Sequence, residues 1–316
     1  MQLKGIYFAV LLASLTACGG GGGVNNIVPG TSLATPSVEQ MKTAAQIYLG
    51  TTKAYDGFVN TMLMILPHYD GEFKLDDICS GGGTAKLTYN DTDSNQLVTK
   101  GDTYQVVFDK CVTELGTFSA GSINSTVETM PLIMPSIPTS ADWKVSQNLT
   151  FTKFTVTETA NSTTLTTTTD GDLSVTADNA LTANQYHSKI TANNLVIKST
   201  NSTNTLDLTF KLINYDYTYN RNTLLFKLDN DINMLYSVNG KEQSAIYTTD
   251  PVLTGSASTI NQGLPTAGQL VMNLTDYKPI TLIPQADGQN VSVDIADDGL
   301  NAVLMTWASL GLATAQ

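Results

Sequence analysis

The chain carries two kinds of hydrophobic pattern, one near its N-terminus and one over most of the rest. From Val38 onward, apolar side chains recur at alternating spacings of three and four residues, which is the period of an amphipathic helix. Ser37 and Gln40 have the spacing of a capping box at its start, and Pro67 is a typical helix stop. We therefore predict one amphipathic helix over residues 37–67.

After Gly71 the period of the pattern changes to two, so that apolar and polar residues alternate as they do in half-buried strands. Threonine-rich segments of this kind follow one another at roughly 10–15-residue spacing, with polar turns between them, which indicates antiparallel hairpins and not βαβ units. We expect residues 72–316 to form a mainly β domain. Its predicted architecture is a large antiparallel meander, a curved sheet or open barrel, packed on the single N-terminal amphipathic helix.

Within this domain, local patterns predict individual strands. Residues 84–90 and 103–109 alternate in the same way and flank a polar loop, which predicts a hairpin. A later strand has an alternation that slips between Phe151 and Phe154, which predicts a β-bulge near Lys153.

Two dipeptides have the composition of tight hairpin turns. These are Asp170-Gly171 and Asn239-Gly240, whose residue types favour the positive φ that two-residue turns require. We expect the chain to reverse direction at both.

The N-terminus has a different composition from the rest. Lys4 precedes an apolar run at residues 6–12, which is too short to span a bilayer, and Leu15-Thr16-Ala17-Cys18 follows. This order resembles the signal and lipobox of bacterial lipoproteins, of the kind found in proteobacterial envelopes. The resemblance implies a signal peptide over 1–17 and lipidation of Cys18 by acyl chains such as palmitate. A plain secretory signal is the alternative.

Lipidation would anchor the mature chain to a membrane, since two or three acyl chains hold a protein almost permanently. Residues 18–36 are rich in glycine and nearly uncharged, so we expect them to form a flexible tether. In many such lipoproteins an Asp after the lipidated cysteine retains the protein in the inner membrane. Here Gly19 occupies that position, so we expect the outer membrane. Exposure to the periplasm or to the cell surface stays open.

The charge balance narrows the range of partners. The chain has 16 basic and 28 acidic residues, for a formal net charge of −12. Arg221 is its only arginine. This composition argues against a nucleic-acid-binding protein, because such proteins bind phosphates through basic surfaces.

With Cys18 assigned to lipid, two cysteines remain. Cys79 and Cys111 would lie in an oxidising compartment, where an even pair of cysteines is typical of a disulfide. Such a disulfide would close the 79–111 hairpin. The alternative, a catalytic thiol, would need a nearby base, and the chain has only two histidines.

The loop of this hairpin, residues 91–102, resembles the twelve-residue calcium loop of EF-hands and dockerins. The resemblance implies oxygen ligands at alternate positions of the loop, as a hard cation prefers. The ligands it implies are Asp91, Asp93, Asn95, the Leu97 carbonyl, Thr99 and Asp102. Gln96 replaces the glycine expected at position six, and Asp102 replaces the usual Glu. An Asx-rich hairpin loop without metal is the alternative.

A row of tyrosines is a further candidate. Tyr215, Tyr217 and Tyr219 alternate along one predicted strand, so their rings share one face. Such a row could stack on sugar rings or form an interaction edge, and the alternative is the half-buried face of a sheet.

No catalytic motif is apparent, since the sequence has no nucleophile elbow, phosphate-binding loop or zinc motif. We therefore expect a non-enzymatic, lipid-anchored outer-membrane protein that acts as a structural or interaction module, stabilised by calcium. Its membrane partner is reached through the N-terminal lipid, and its protein, glycan or lipid partner is not identified. The alternative is a carrier that holds an apolar ligand between sheet and helix.

Overall fold

The structure is a computed structural model that describes residues 33–64, 79–95, 98–112, 118–129, 142–160, 163–256, 264–296 and 302–310. Within these residues, one helix, α1 (Val38–Met64), precedes fifteen strands, so the mainly β fold is confirmed. The strands are β1 Gly82–Asn90, β2 Thr103–Val112, β3 Phe118–Thr129, β4 Trp143–Ala160, β5 Thr163–Ala180, β6 Gln185–Thr200, β7 Thr205–Asn220, β8 Leu225–Val238, β9 Lys241–Thr248, β10 Leu253–Ser256, β11 Pro265–Ala267, β12 Leu270–Leu274, β13 Ile280–Pro284, β14 Asn290–Ile295 and β15 Val303–Thr306. A 3₁₀ turn, Ala308–Leu310, follows β15.

The strands form one antiparallel sheet whose order follows the chain from β1 to β9 and continues through β12, β13, β14 and β15. The first half of β8 pairs with β10, which also pairs with β11, while the second half of β8 pairs with β9. The two ends of this order are β1 and β15, so the described sheet is open. The predicted meander is therefore confirmed.

Helix α1 begins where the sequence indicates. The Ser37 amide donates to Gln40 Oε1 at 2.8 Å, and the Gln40 amide donates to Ser37 Oγ at 3.3 Å, so the capping box is formed. The predicted end at Pro67 lies outside the described residues. Among the helical residues described, no stretch is both long and apolar enough to cross a membrane.

The buried face of α1 packs across the inner face of the sheet. Its aromatic side chains meet aromatic side chains of β9, β7 and β4 in that order along the helix, so the helix crosses the strands. The ring pairs are Tyr48 with Tyr247, Tyr55 with Tyr215 and Phe58 with Phe151, with centroids 5.4, 4.7 and 5.7 Å apart.

The segment before the helix is also tied to the sheet. The Ala34 amide donates to the Asp276 carbonyl at 3.0 Å, and the Lys278 amide donates to the Ala34 carbonyl at 2.9 Å. This bridge lies between β12 and β13, far along the chain. The predicted tether over 18–36 therefore reaches into a segment that the fold holds in place.

Three of the bulges in the first six strands lie opposite a glycine of the preceding strand. At these glycines φ is positive, and an added Cβ would lie within 2.7 Å of the carbonyl oxygen of the bulged residue, which is too close for any side chain. The pairs are Gly83 with Lys110, Gly121 with Lys153 and Gly171 with Asn194. Bulges opposite glycines bend a sheet, so these three positions are where we expect this sheet to bend.

The bulge at Lys153 is the one that the slipped alternation predicts, and its register shift falls between Phe151 and Phe154. Both phenylalanines are consequently buried on the inner face, with ring centroids 5.8 Å apart.

The predicted turn at Asp170-Gly171 is wrong, because strand β5 includes both residues and continues to Ala180. Gly171 does have a positive φ, +111°, but it serves the close approach of Asn194 and not a chain reversal. The turn at Asn239-Gly240 is confirmed, with φ of 52° and 81°, between β8 and β9.

Candidate metal centre

The hairpin of β1 and β2 holds residues 91–102 at one end and a disulfide at the other. The ladder runs from Gly82 opposite Val112 to Asn90 opposite Thr103. Beside its first pair, the structure joins Cys79 to Cys111, with Cα atoms 4.9 Å apart. By the loop-entropy model, a closed loop of this size contributes about 3–4 kcal/mol of stability.

The loop is also attached to β3, the next strand. The Gly101 amide donates to the Val127 carbonyl at 2.8 Å, and the Val127 amide donates to the Asp102 carbonyl at 2.9 Å. Two positive φ values, 57° at Ser94 and 94° at Gly101, turn the backbone within the loop. Its acidic side chains are therefore held on a folded backbone, not on a free tip.

Three of the predicted ligands converge. One carboxylate oxygen from each of Asp91, Asp93 and Asp102 lies within 4.8 Å of the others. Two oxygens bound to one calcium ion at about 2.4 Å can be at most about 4.8 Å apart, so the three oxygens lie within the spread that one ion allows.

Asp102 is the buried member of this cluster and accepts several hydrogen bonds. Its Oδ1 accepts from the Thr92 amide at 2.8 Å, and its Oδ2 accepts from the Thr99 amide at 2.7 Å and the Tyr89 hydroxyl at 2.8 Å. Burial raises the pKa of Asp102, but these hydrogen bonds together lower it by more than burial raises it. The pKa therefore lies below its ordinary value. Asp102 is therefore held as a carboxylate.

The other side chains of the loop point into the same cluster. Asp93 Oδ2 accepts from Asn95 Nδ2 at 2.8 Å and from the Thr99 hydroxyl at 3.2 Å. Asn95 thus presents its amide nitrogen, and a calcium ion would require the amide to rotate and present its oxygen. Leu97, whose carbonyl is the remaining predicted ligand, lies outside the described residues.

The donor set fits a hard cation. It consists of carboxylates, an amide and a hydroxyl, and it contains no thiolate or imidazole. Asp102 Oδ1 accepts one described hydrogen bond, whereas Oδ2 accepts three, so Oδ1 is the oxygen that suits a metal ion. Lys100 pairs with Glu128 at 3.8 Å, so its described partner lies outside the cluster.

Tyr89 is a contributor to this centre that the sequence reasoning missed. It is the penultimate residue of β1, directly opposite Tyr104, and its hydroxyl donates to Asp102. Its own pKa is raised by burial and by the neighbouring carboxylates of Asp102, Asp91 and Asp93. A tyrosine at the end of a strand that leads into an acidic loop is the signal that could have found it.

The tyrosine row has its rings on the inner face of β7. Tyr215 is buried, 4% exposed, under Tyr55 of the helix, so it is not available to a ligand from solution. Tyr217 is half-buried and stacks on Phe226 with centroids 6.1 Å apart. Tyr219 is also half-buried, so these two are the members of the row that retain some exposure.

A cleft of about 430 Å³ lies where β3 ends, β4 begins and β5 ends. Apart from Ala180, its lining combines one indole, that of Trp143, with charged and polar side chains. Those side chains are Thr129, Asp142, Lys144, Asp178 and Asn179.

The space between helix and sheet bears on the predicted alternative of an apolar-ligand carrier. An apolar ligand held there would have to displace the aromatic pairs described above, because these side chains are in direct contact. The predicted lipidation site, Cys18, lies outside the described residues.

One polar pair was not suggested by the sequence. His187 Nε2 on β6 lies 2.9 Å from Asp216 Oδ1 on the neighbouring strand β7.

Comparison of the chain with protein-family models, curated proteins and solved structures finds no match.

Proposed function

We propose that this chain is a lipid-anchored lipoprotein of a bacterial outer membrane, and that its β-rich domain is a non-enzymatic structural or interaction module. In this proposal, calcium binds in the 91–102 loop and stabilises the first hairpin. The observation that carries the calcium centre is the convergence of the carboxylates of Asp91, Asp93 and Asp102.

The anchor is supported by the order of features at the N-terminus. A positive residue, a short apolar run and Leu15-Thr16-Ala17-Cys18 are followed by Gly19, in the order that lipoprotein signals require. A disulfide between Cys79 and Cys111 suits the same extracytoplasmic compartment.

The anchor is tested with a Cys18→Ser variant of the full chain, produced in a bacterium that processes lipoproteins. We expect the wild type to incorporate labelled palmitate and to fractionate with the outer membrane. The variant should lose the label and leave the membrane fraction after signal cleavage, because no acyl chain then holds it. Cys79→Ser is the control that leaves the lipobox intact and should stay labelled. A Cys18→Ser protein that still carries palmitate would contradict the proposal.

The calcium centre is tested by thermal unfolding of the unlipidated chain in EDTA and in 5 mM calcium. For an extracellular site of millimolar or tighter affinity, we expect calcium to raise the Tm of the wild type by about 3 °C. Asp93→Asn should abolish this shift, because it removes a ligand charge at the surface of the loop. Glu242→Gln, which changes the same charge on exposed β9, should keep it.

Equal melting temperatures of the wild type in EDTA and in calcium would leave the loop as an Asx-rich turn without metal. Calorimetric titration with calcium gives an independent measurement, since binding heat should be present in the wild type and absent in Asp93→Asn.

A further inference from the structure

The last strand, β15, forms one edge of the sheet and has an unusual composition for an edge. It pairs with β14 on one side, and no described strand pairs with it on the other. Edge strands usually carry a charge, a proline or a bulge, because an open row of backbone groups invites pairing with another chain. The four residues of β15 include no charged residue and no proline, and their ladder to β14 has no register shift. Apart from its shortness, β15 is therefore an unprotected edge.

The opposite edge of the sheet, β1, differs in this respect. It carries the charged residue Lys86, it begins with two glycines, and its pairing with β2 shifts register between Gly82 and Thr84. Charge and irregularity both discourage the addition of a further strand. The two ends of the sheet are thus unequal, and β15 is the one suited to pairing.

The side chains of β15 point the same way. Val303 and Leu304 are the most exposed of the large apolar side chains described, at 58% and 64%. They lie on opposite faces, since Val303 is opposite the buried Val293 and Leu304 is opposite Ser292. Ile283, which is opposite Ser292 on its other side, is also exposed and extends the apolar surface around Leu304. A strand added at this edge would therefore cover apolar surface on both faces.

The hydrogen bonds to β14 define which backbone groups of β15 point to the open edge. The Trp307 amide donates to the Gln289 carbonyl at 3.0 Å, one step beyond the pairing of Thr306 with Asn290. In an antiparallel ladder, alternate residues direct their backbone groups to the same neighbour. Leu304 lies three residues before Trp307, so its N–H and C=O point away from β14.

We propose that β15 pairs antiparallel with β15 of a second copy of this chain, across a two-fold axis at Leu304. In this register, Leu304 donates to and accepts from Leu304 of the second copy, so the outward backbone groups satisfy each other. Val303 lies opposite Met305 of the second copy on the inner face. The two sheets become one continuous sheet, with both helices on the same side.

The fit of β15 to itself favours a second copy as the occupant. A two-fold axis brings the same segment together twice, and here each apolar side chain meets an apolar one. The chain has a formal net charge of −12, so two copies repel each other, but β15 adds no like-charge pair at the contact. Pairing of β15 with β1 of the next copy would instead leave one edge open at each end and build a filament.

The proposal is tested by sedimentation velocity of the unlipidated chain at protein concentrations from about 0.02 to 1 mM. A four-residue strand gives an interface smaller than the roughly 1,200 Å² of a stable complex, so we expect a weak, reversible dimer within this range. Leu304→Pro removes only the outward N–H, which an edge strand tolerates, and should weaken dimerisation at least tenfold. Leu304→Lys should do the same, because it places two like charges at the axis.

Ile246→Lys is the matched control, because it makes the same change at an exposed apolar residue of β9, which has neighbours on both sides. Its dimerisation should stay within twofold of the wild type. Thermal unfolding of all variants verifies that they are folded. A wild type that is monomeric at every concentration, species that grow beyond the dimer, or Leu304 variants that dimerise as the wild type does would overturn the proposal.

Discussion

Gly121 and Gly240 have similar positive φ values, 89° and 81°, in very different surroundings. Gly121 lies mid-strand in β3, where a Cβ would come within 2.2 Å of the Lys153 carbonyl oxygen. Gly240 lies in the β8–β9 turn, where a Cβ would meet nothing within 4 Å. Comparing these two positions separates the need for glycine that comes from a positive φ from the need that comes from lack of space for a Cβ.

We expect Gly121→Ala to lower the free energy of unfolding by about 3 kcal/mol, since it combines the strain of a positive φ with a clash against backbone. Gly240→Ala should lower it by only about 1 kcal/mol, the cost of the positive φ alone. Urea unfolding of both variants measures the difference. Equal losses would show that the β3 backbone shifts to make room, contrary to the close packing described at this bulge.

Asp102 gives the fold a dependence on acid. Because its pKa is lower in the folded protein than in the unfolded chain, its charge stabilises the fold above the ordinary Asp pKa of about 3.9. That contribution is lost as the pH falls through the folded pKa. We expect Asp102→Asn to be less stable at pH 6, and its Tm to fall less steeply than that of the wild type below pH 4.

Thermal unfolding between pH 2.5 and 6, in EDTA to exclude metal, measures this dependence. Glu242→Gln changes one exposed charge and should follow the wild-type curve. Parallel curves for Asp102→Asn and the wild type would contradict the role assigned to the Asp102 hydrogen bonds.

Individual residues were predictable where a local pattern has only one physical meaning. The slip between Phe151 and Phe154 indicates a bulge, and the structure has it. The glycine in Asp170-Gly171 was misread, because a positive φ serves a tight turn and a mid-strand close approach equally well. Only the opposite strand, with its bulge at Asn194, distinguishes the two, and sequence spacing does not reveal which strand that is.

At the scale of elements, the helix was predictable at its start but not in its placement. The capping box is local, so Ser37 and Gln40 identify it directly. The apolar stripe indicates a buried face without naming what covers it. The burial of Tyr215 follows from that placement, which is why the tyrosine row could be assigned to one face of a strand but not to solvent or core.

The contact between Phe58 and Phe151 should carry much of the helix docking, because both rings are nearly fully buried. We expect Phe58→Ala to lower the free energy of unfolding by about 3–4 kcal/mol. Val38→Ala, at a half-exposed position of the same helix, should change it by less than about 0.5 kcal/mol. Denaturant unfolding followed by far-UV and near-UV dichroism measures both, and similar small losses would show that the helix is not docked as described.

At the scale of the whole molecule, the order of the sheet is mostly sequential, which the alternation of strands and polar turns indicates. It departs after β9, where the chain returns to pair β10 with the first half of β8. The eight residues of β9 cover only the second half of the fourteen-residue β8, so an unpaired stretch is left for a later strand. The pairing of β10 with β8 therefore depends on strand lengths, which the periodicity of the sequence does not define.

The Ala34 bridge links the segment before the helix to the turn between β12 and β13, and its contribution to stability can be measured by truncation. An unlipidated chain beginning at residue 33 retains the bridge, whereas one beginning at residue 36 keeps Ser37 and the capping box but loses it. We expect the shorter chain to be about 1–2 kcal/mol less stable in urea, from the loss of two backbone hydrogen bonds. Identical unfolding curves would mean that the bridge contributes nothing.

The same bridge has a mechanical consequence for a tethered protein. Tension in a lipid-anchored tether would enter the domain at Ala34, not at the first turn of the helix. The turn between β12 and β13 would carry the load first, through the two backbone hydrogen bonds to Ala34. The force would reach the helix and the aromatic contacts beneath it only after those bonds had broken. The bridge would therefore protect the core from moderate tension.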